Sequence, residues 1–217
     1  MTMRTLEAPF IPAAEPDGLL MTSSLDNDLT VTLKAPSFVR IGDSFQILLN
    51  NRTTGPVQAF PVPPTEIGSH LESHISKNEF TSNGEYKIAY RYISYPGENI
   101  TDSEATSVYV DRTQPGATLL APLIFPTATF SDQLTGLLPG YAGMQQGDVV
   151  QTLLNGSPGP NHTVTADELT LRPVEIGFTR EHLQPHAPGM VSIEYAVTDR
   201  AGNTSITSLP MLVSVQL

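Results

Sequence analysis

The chain contains no cysteine and no tryptophan, and only 15% of its 217 residues are charged. Without cysteine there is no disulfide framework and no cysteine-ligated zinc, and the redox compartment stays open. Without either residue, the disulfide-and-tryptophan pin of antibody domains is also excluded. Any sandwich core must then rest on aliphatic and tyrosine packing. Basic residues are scarce, with 11 Lys and Arg against 22 Asp and Glu, a net charge of −11. Such a surface repels phosphate backbones and anionic headgroups, so no nucleic-acid partner is expected. No stretch approaches the roughly 18 apolar residues a spanning helix needs, so membrane insertion is not expected either. The start, Met1 to Pro9, lacks an apolar h-region and does not read as a Sec signal peptide. Export by another route, or incorporation into an assembly, is the expectation if the protein acts outside a cell.

Proline (19) and glycine (16) are plentiful beside 39% hydrophobic residues. A turn-rich, charge-poor composition favours β-structure over helices, which carry more Glu, Lys and Arg. Self-similarity sharpens this. One shift of 105 residues lays Gly42-Asp43-Ser44-Phe45-Gln46-Ile47-Leu48-Leu49-Asn50 on Gly147-Asp148-Val149-Val150-Gln151-Thr152-Leu153-Leu154-Asn155. The same shift joins Leu29 to Leu134, Gly84 to Gly189, Tyr90 to Tyr195 and Val110 to Val215. The middle sections, about 51–83 and 156–188, do not match, as loops and edge strands vary more than core strands.

Alternation marks the strands within each copy. Leu29, Val31 and Leu33 alternate, then Phe45, Ile47 and Leu49, then Leu71, Ser73 and Ile75. Tyr86, Ile88, Tyr90 and Tyr92 follow the Asn83-Gly84 turn, and Val108 and Val110 close the copy. The second copy repeats this with Val150-Thr152-Leu154, Val174-Ile176-Phe178, Val191-Ile193-Tyr195-Val197 and Val213-Val215. About seven short strands per copy predict an all-β chain of two tandem immunoglobulin-like Greek-key β-sandwiches. The expected layout is an extended arm over 1–16, a first domain over 17–112 and a second over 113–217.

Val197-Thr198-Asp199-Arg200-Ala201-Gly202-Asn203-Thr204-Ser205 resembles the V-T-D-x-A-G-N-x-S hairpin of bacterial Ig-like (Big-type) tandem repeat proteins. Val110-Asp111-Arg112-Thr113-Gln114-Pro115 is similar to the V-D-x-T-x-P junction that opens the next repeat in such arrays. The resemblance covers roughly residues 17–217 and implies stalk or adhesive segments of bacterial surface and secreted proteins. Copy one departs from it at Ser94-Tyr95-Pro96-Gly97-Glu98-Asn99, where the hairpin aspartate is missing.

Four groups of residues are candidates for function. In head-to-tail sandwiches Asp111 and Arg112 of the junction should meet Asp199 and Asn203 of the second hairpin. Asp111 and Asp199 could then share Ca²⁺, which takes six to eight oxygen ligands. Ion pairs, with Asp199 on Arg112 or Asp111 on Arg200, or an Asp folded onto its own turn, are the stronger expectation. His70, Glu72 and His74 project from one face of a strand with spacing suited to a His-carboxylate-His metal set. Alternation equally places them in solvent opposite Leu71 and Ile75, and this is the favoured reading. Apart from these two metal candidates no cofactor is expected.

Phe10 and Ile11, set among Pro9, Pro12 and Pro16, either pack back on the first domain or dock on a neighbouring subunit and support self-association. The loops Asn50–Phe60 and Ser94–Asn99 are expected to form an open tip on domain one, with Asn51, Arg52, Tyr95 and Asn99 suited to sugar or protein contacts. Asn51, Asn99, Asn161 and Asn203 open N-x-S/T triplets in predicted loops, read as polar turns rather than glycosylation sites. No nucleophile elbow, P-loop or dinucleotide fingerprint is present, and no catalytic residue is assigned. The expectation is a non-catalytic, adhesin-like binding or spacer module for a protein or glycan, at a cell surface or secreted. The alternative is a structural subunit of a larger extracellular, phage-tail or injection-machine assembly.

Overall fold

The computed structural model describes residues 5–61, 70–126 and 133–216. The chain divides into two compact units, Met1–Arg112 and Thr113–Leu217. Each is an immunoglobulin-like β-sandwich of two facing sheets with its own core.

In unit 1 the larger sheet is built on β3 (Ser44–Leu49), flanked by β4 (Arg52–Ala59) and the long β6 (Gly84–Ile93). Beyond β6 lie β8 (Thr106–Val110) and a two-residue strand, β1 (Leu19–Leu20), which runs parallel to β8. The short β7 (Ile100–Asp102) pairs with the far end of β6. The smaller sheet pairs β2 (Leu29–Lys34) with β5 (His70–Ile75). In unit 2, β11 (Ser157–Thr163), β10 (Val149–Leu154), β13 (Gly189–Thr198) and β14 (Met211–Val215) form one sheet. The other pairs β9 (Gln133–Leu138) with β12 (Val174–Thr179).

The apolar set of every alternating segment faces inward, because period-two side chains give each strand one core face. Val31, Ile75, Ile88 and Val108 are fully buried in unit 1, as are Val150, Phe178, Ile193 and Tyr195 in unit 2. The 105-residue shift holds in the register itself. Ser44 pairs with Ile93 and Leu49 with Ile88, while Val149 pairs with Thr198 and Leu154 with Ile193. Gly42 and Gly147 both take left-handed backbone, at φ +93° and +95°. Asn50 and Asn155 open equivalent tight turns, each accepting a backbone N–H from the neighbouring strand at 2.9 Å (Lys87 and Ser192).

The sections that do not match in sequence show where the shift drifts. Ile75 pairs with Leu29, but Phe178 pairs with Leu134, so β12 is displaced by 103 (178 less 75). At the start of each unit the displacement is 114 (120 less 6). The Leu6 carbonyl accepts from Glu104 N–H, as the Leu120 carbonyl does from Leu209 N–H. Phe10 bridges Thr32, as Ile124 bridges Leu137.

Ile11 packs back on the first domain, one of the two readings given for it, and the expected start of that domain at residue 17 is corrected. Residues 5–11 are the opening segment of unit 1, with Leu6 and Ile11 each 2% exposed in its core. The physical reason is that apolar groups among three prolines can still be buried by an extended segment that needs few ladder hydrogen bonds. The longer passage from Ile11 to β2 carries β1 and places Leu20 and Leu25 in the core as well. The first four residues of the expected arm lie outside the described residues.

Candidate functional site

The two ends of unit 1 are distinct. β6 runs from Gly84, opposite Val110, to Ile93, opposite Ser44. The chain therefore leaves the unit at the Gly84 end, while the loop after Ile93 lies at the other. The turn Asn50-Asn51 follows Leu49, and Tyr95 lies beyond Ser44, so the length of β3, roughly 17 Å at strand rise, separates them. The expected single tip of Asn51, Arg52, Tyr95 and Asn99 is therefore two places. Asn51 lies in the β3–β4 turn and Arg52 opens β4, both near the exit end, while Tyr95 and Asn99 lie at the opposite end. The segment to Phe60 is a strand rather than a loop for most of its length.

The Tyr95 end is organised by a buried carboxylate. Asp43 Oδ2 accepts from Arg40 N–H at 2.7 Å and from the Tyr92 hydroxyl, and Oδ1 accepts from Tyr95 N–H at 2.8 Å. Burial alone would raise the Asp43 carboxyl, but the Tyr92 hydroxyl and the two backbone N–H groups hold it below the ordinary carboxylate value. One side chain thus ties the loop before β3 to the loop after β6.

Tyr95 is held by its backbone, yet the residue is 65% exposed, and Ile41, which precedes Gly42, is 74% exposed. A Cβ built on Gly42 would stand 2.7 Å from the Tyr95 ring. Gly42→Ala is therefore expected to cost about 2 kcal/mol, combining left-handed strain with displacement of the ring. Thermal melting of the full chain, with the Tyr95 ring resonances as local readout, checks this.

Unit 2 keeps the carboxylate and changes its partner. Asp148 Oδ2 accepts from Gln145 N–H at 3.0 Å and from the Tyr141 hydroxyl at 2.7 Å. Tyr141 stands where unit 1 has Pro36, and Val197 where unit 1 has Tyr92, so the tyrosine comes from a different element. The turns before it match, with Val39 N–H on the Pro36 carbonyl and Met144 N–H on that of Tyr141, both at 3.2 Å.

The other candidates are engaged locally. Asp111 Oδ1 accepts from Asn83 Nδ2 at 3.3 Å, Arg112 N–H donates to Asn83 Oδ1 at 2.8 Å, and Arg112 Nε donates to the Phe80 carbonyl at 3.0 Å. Asp199 accepts from Asn203 N–H at 2.8 Å and Asn203 Nδ2 at 2.9 Å, closing its own hairpin. His70, Glu72 and His74 lie exposed on β5 opposite Lys34, Thr32 and Thr30. Among the described residues no group of three His, Asp or Glu side chains is gathered as a metal would need. Phe10 is 64% exposed, but Ile11 is committed to its own core and is not available to a neighbouring subunit.

Sequence reasoning passes over three features. The repeated Gly-Asp marks the carboxylates as well as the turns. Ser103 and Ser208, related by the same shift, each accept from the N–H of Tyr90 or Tyr195 at 3.0 Å. The third is Glu168, buried in unit 2, whose Oε2 accepts from Thr165 N–H at 2.8 Å, Thr165 Oγ1 at 2.9 Å and His162 Nε2 at 2.9 Å. Its Oε1 lies 2.9 Å from Arg172 Nη1. Burial pushes the Glu168 carboxyl up, but the His162 and Thr165 hydrogen bonds outweigh it and hold the group at about 2. The Thr165-Ala166-Asp167-Glu168 capping box was the signal for it.

No family model and no curated protein matches the chain. A solved structure from work on host cell surface retention of a 1.5-MDa bacterial ice-binding adhesin is similar over 99% of the chain, at 13% identity and a TM-score of 0.51. The chain spans 66% of that structure's length. The fibronectin(III)-like modules of Clostridium thermocellum CbhA cover 99% of the chain and 92% of their own at 10% identity, with a TM-score of 0.45. The adhesin likeness is one of fold, an immunoglobulin-like sandwich.

Proposed function

We propose that the chain is a non-catalytic binding module, two immunoglobulin-like sandwiches that recognise a glycan or protein through the Tyr95 end of unit 1. The observation that carries this is Tyr95 itself. Asp43 accepts from its backbone N–H and Gly42 leaves room for its ring, while most of the residue faces solvent. A tyrosine ordered before contact offers large amphipathic area with little entropy left to lose. Exposed Ile41 extends the surface, and the chain leaves the unit at the other end. The fold shared with a bacterial adhesin supports an extracellular or cell-surface place. A structural subunit of a larger assembly would need apolar surface for its neighbours, and in the opening segment Leu6 and Ile11 are buried in unit 1 while Phe10 is exposed.

An array carrying glycans on one set of spots and proteins on another tests the reading with the full chain and with a Tyr95→Ala, Ile41→Ser variant. Binding that the variant loses by tenfold or more (about 1.4 kcal/mol) supports it. No binding, or equal binding by both proteins, overturns it.

A further inference from the structure

On the loop that leads from β2 to the Tyr95 end of unit 1, residues 34–38 and the opening segment line an open cleft of about 350 Å³. Its lining includes Leu6, Pro36 and Phe38, the exposed Glu7 and Lys34, and the buried Tyr90. We infer that this cleft binds a neutral carbohydrate, one or two pyranose units of a larger glycan. The inference rests on the proposed binding function and names its ligand class.

Three observations carry it. The size falls at the small end of ligand pockets, about 300–1,000 Å³. The chemistry is balanced, since hydroxyls of Thr5, Ser37 and Tyr90 both donate and accept, Lys34 donates and Glu7 accepts. The two charges cancel, which disfavours phosphate and other anions. Lys34 Nζ and Glu7 Oε1 stand 3.6 Å apart. A zwitterion must break that pair, whereas a sugar hydroxyl can bridge it, accepting from one and donating to the other. The apolar wall suits the C–H face of a pyranose ring.

The third observation is the comparison between units. In unit 2 the Tyr195 hydroxyl donates to the Ala121 carbonyl at 2.8 Å, and Tyr141 stands at the place of Pro36. Tyr90 occupies the position of Tyr195, but no hydrogen bond to its hydroxyl is formed among the described residues. Burial, with the Glu7 carboxylate behind it, pushes that hydroxyl up to about 12, so it stays a neutral donor. Unit 2 keeps the framework and carries a tyrosine at the position that helps wall the cleft of unit 1.

The test is a ¹H–¹⁵N titration of the full chain with glucose, galactose and N-acetylglucosamine in turn, with glycine and inorganic phosphate as zwitterionic and anionic probes. At least one sugar is expected to move the amides of residues 5–7 and 34–38 at millimolar concentration and to leave unit 2 unmoved. Glu7→Gln should weaken that sugar roughly tenfold, the loss of one charge-assisted hydrogen bond. Pro36→Tyr with Tyr92→Val, which transplants the unit 2 arrangement, should abolish the response while unit 1 still melts cooperatively. If the graft unfolds, Glu7→Gln and Lys34→Ala, both at the exposed rim, decide alone. Silence with all sugars, a larger response to glycine or phosphate, or a response untouched by the rim variants overturns the inference. Array binding that depends on Tyr95 while the sugars stay silent removes the cleft proposal and leaves the binding function standing.

Discussion

Asp43→Ala is expected to destabilise unit 1 by about 3 kcal/mol and lower its melting temperature by about 12 °C. The substitution removes one acceptor from three donors at once, the Tyr92 hydroxyl and the N–H groups of Arg40 and Tyr95. The two backbone groups sit near solvent and regain part of their loss from water. The Tyr92 hydroxyl is buried and does not, so most of the cost is assigned there. On the proposed binding role the substitution should also weaken ligand binding, because the same carboxylate holds the Tyr95 N–H. Thermal melting of the full chain, with hydrogen exchange over residues 40–43 and 92–95, separates the two effects. An unchanged melting temperature, or loops equally protected, would show that Asp43 does not fasten them.

Because folding lowers the Asp43 carboxyl, its contribution is complete above the unfolded carboxylate value, about 3.9. It fades as pH falls through the still lower folded value. The matched Asp148→Ala should cost less. Asp148 takes its two hydrogen bonds on one oxygen, and Oδ1 has no hydrogen-bond partner among the described residues.

Glu168→Gln carries the second large effect, about 3 kcal/mol in unit 2. The carboxyl moves from an ordinary 4.5 to about 2 on folding, and each unit of such a shift corresponds to about 1.4 kcal/mol. The shift is downward, so the stabilisation is fully present above about 4.5 and is lost as pH falls through about 2. Wild type should therefore lose melting temperature steeply across that interval, and the Gln variant should be low already at neutral pH with a flatter acid limb. Glutamine keeps the shape but weakens the contacts to His162 and Arg172, which makes the comparison one of charge rather than packing. Parallel acid limbs for the two proteins would refute the assignment. The Thr165–Glu168 turn should also lose exchange protection in the variant.

The two carboxylates show how far the sequence reaches. The repeat, the alternating core strands and their inward faces follow from local pattern, since period-two alternation and a glycine needing left-handed backbone are properties of consecutive residues. Gly42-Asp43 and Gly147-Asp148 could be matched by eye. That Tyr92 serves the first aspartate and Tyr141 the second could not, because the two tyrosines lie 49 residues after the one and 7 before the other.

The same limit governs the candidate site. Asn51, Arg52, Tyr95 and Asn99 look alike as polar turn residues, and only the antiparallel register of β3 and β6 sends them to opposite ends. His70, Glu72 and His74 share a face by alternation, as expected, and the structure leaves that face to solvent. Leu6 and Ile11 read as an arm because the opening segments match at a shift of 114 rather than 105, with β1 inserted between.

By itself, then, the sequence determined an all-β chain of two related immunoglobulin-like sandwiches with a net charge of −11. Both follow from local periodicity and summed charge, which need no knowledge of distant contacts. The tertiary structure decided that residues 5–11 complete the first sandwich and that Asp43 orders Tyr95. It also formed a cleft at Tyr90 in one unit and placed Tyr141 beside that position in the other. Those outcomes depend on which segments meet across the two sheets, and pairing over such separations is set by the packing of the whole unit rather than by neighbours in the chain.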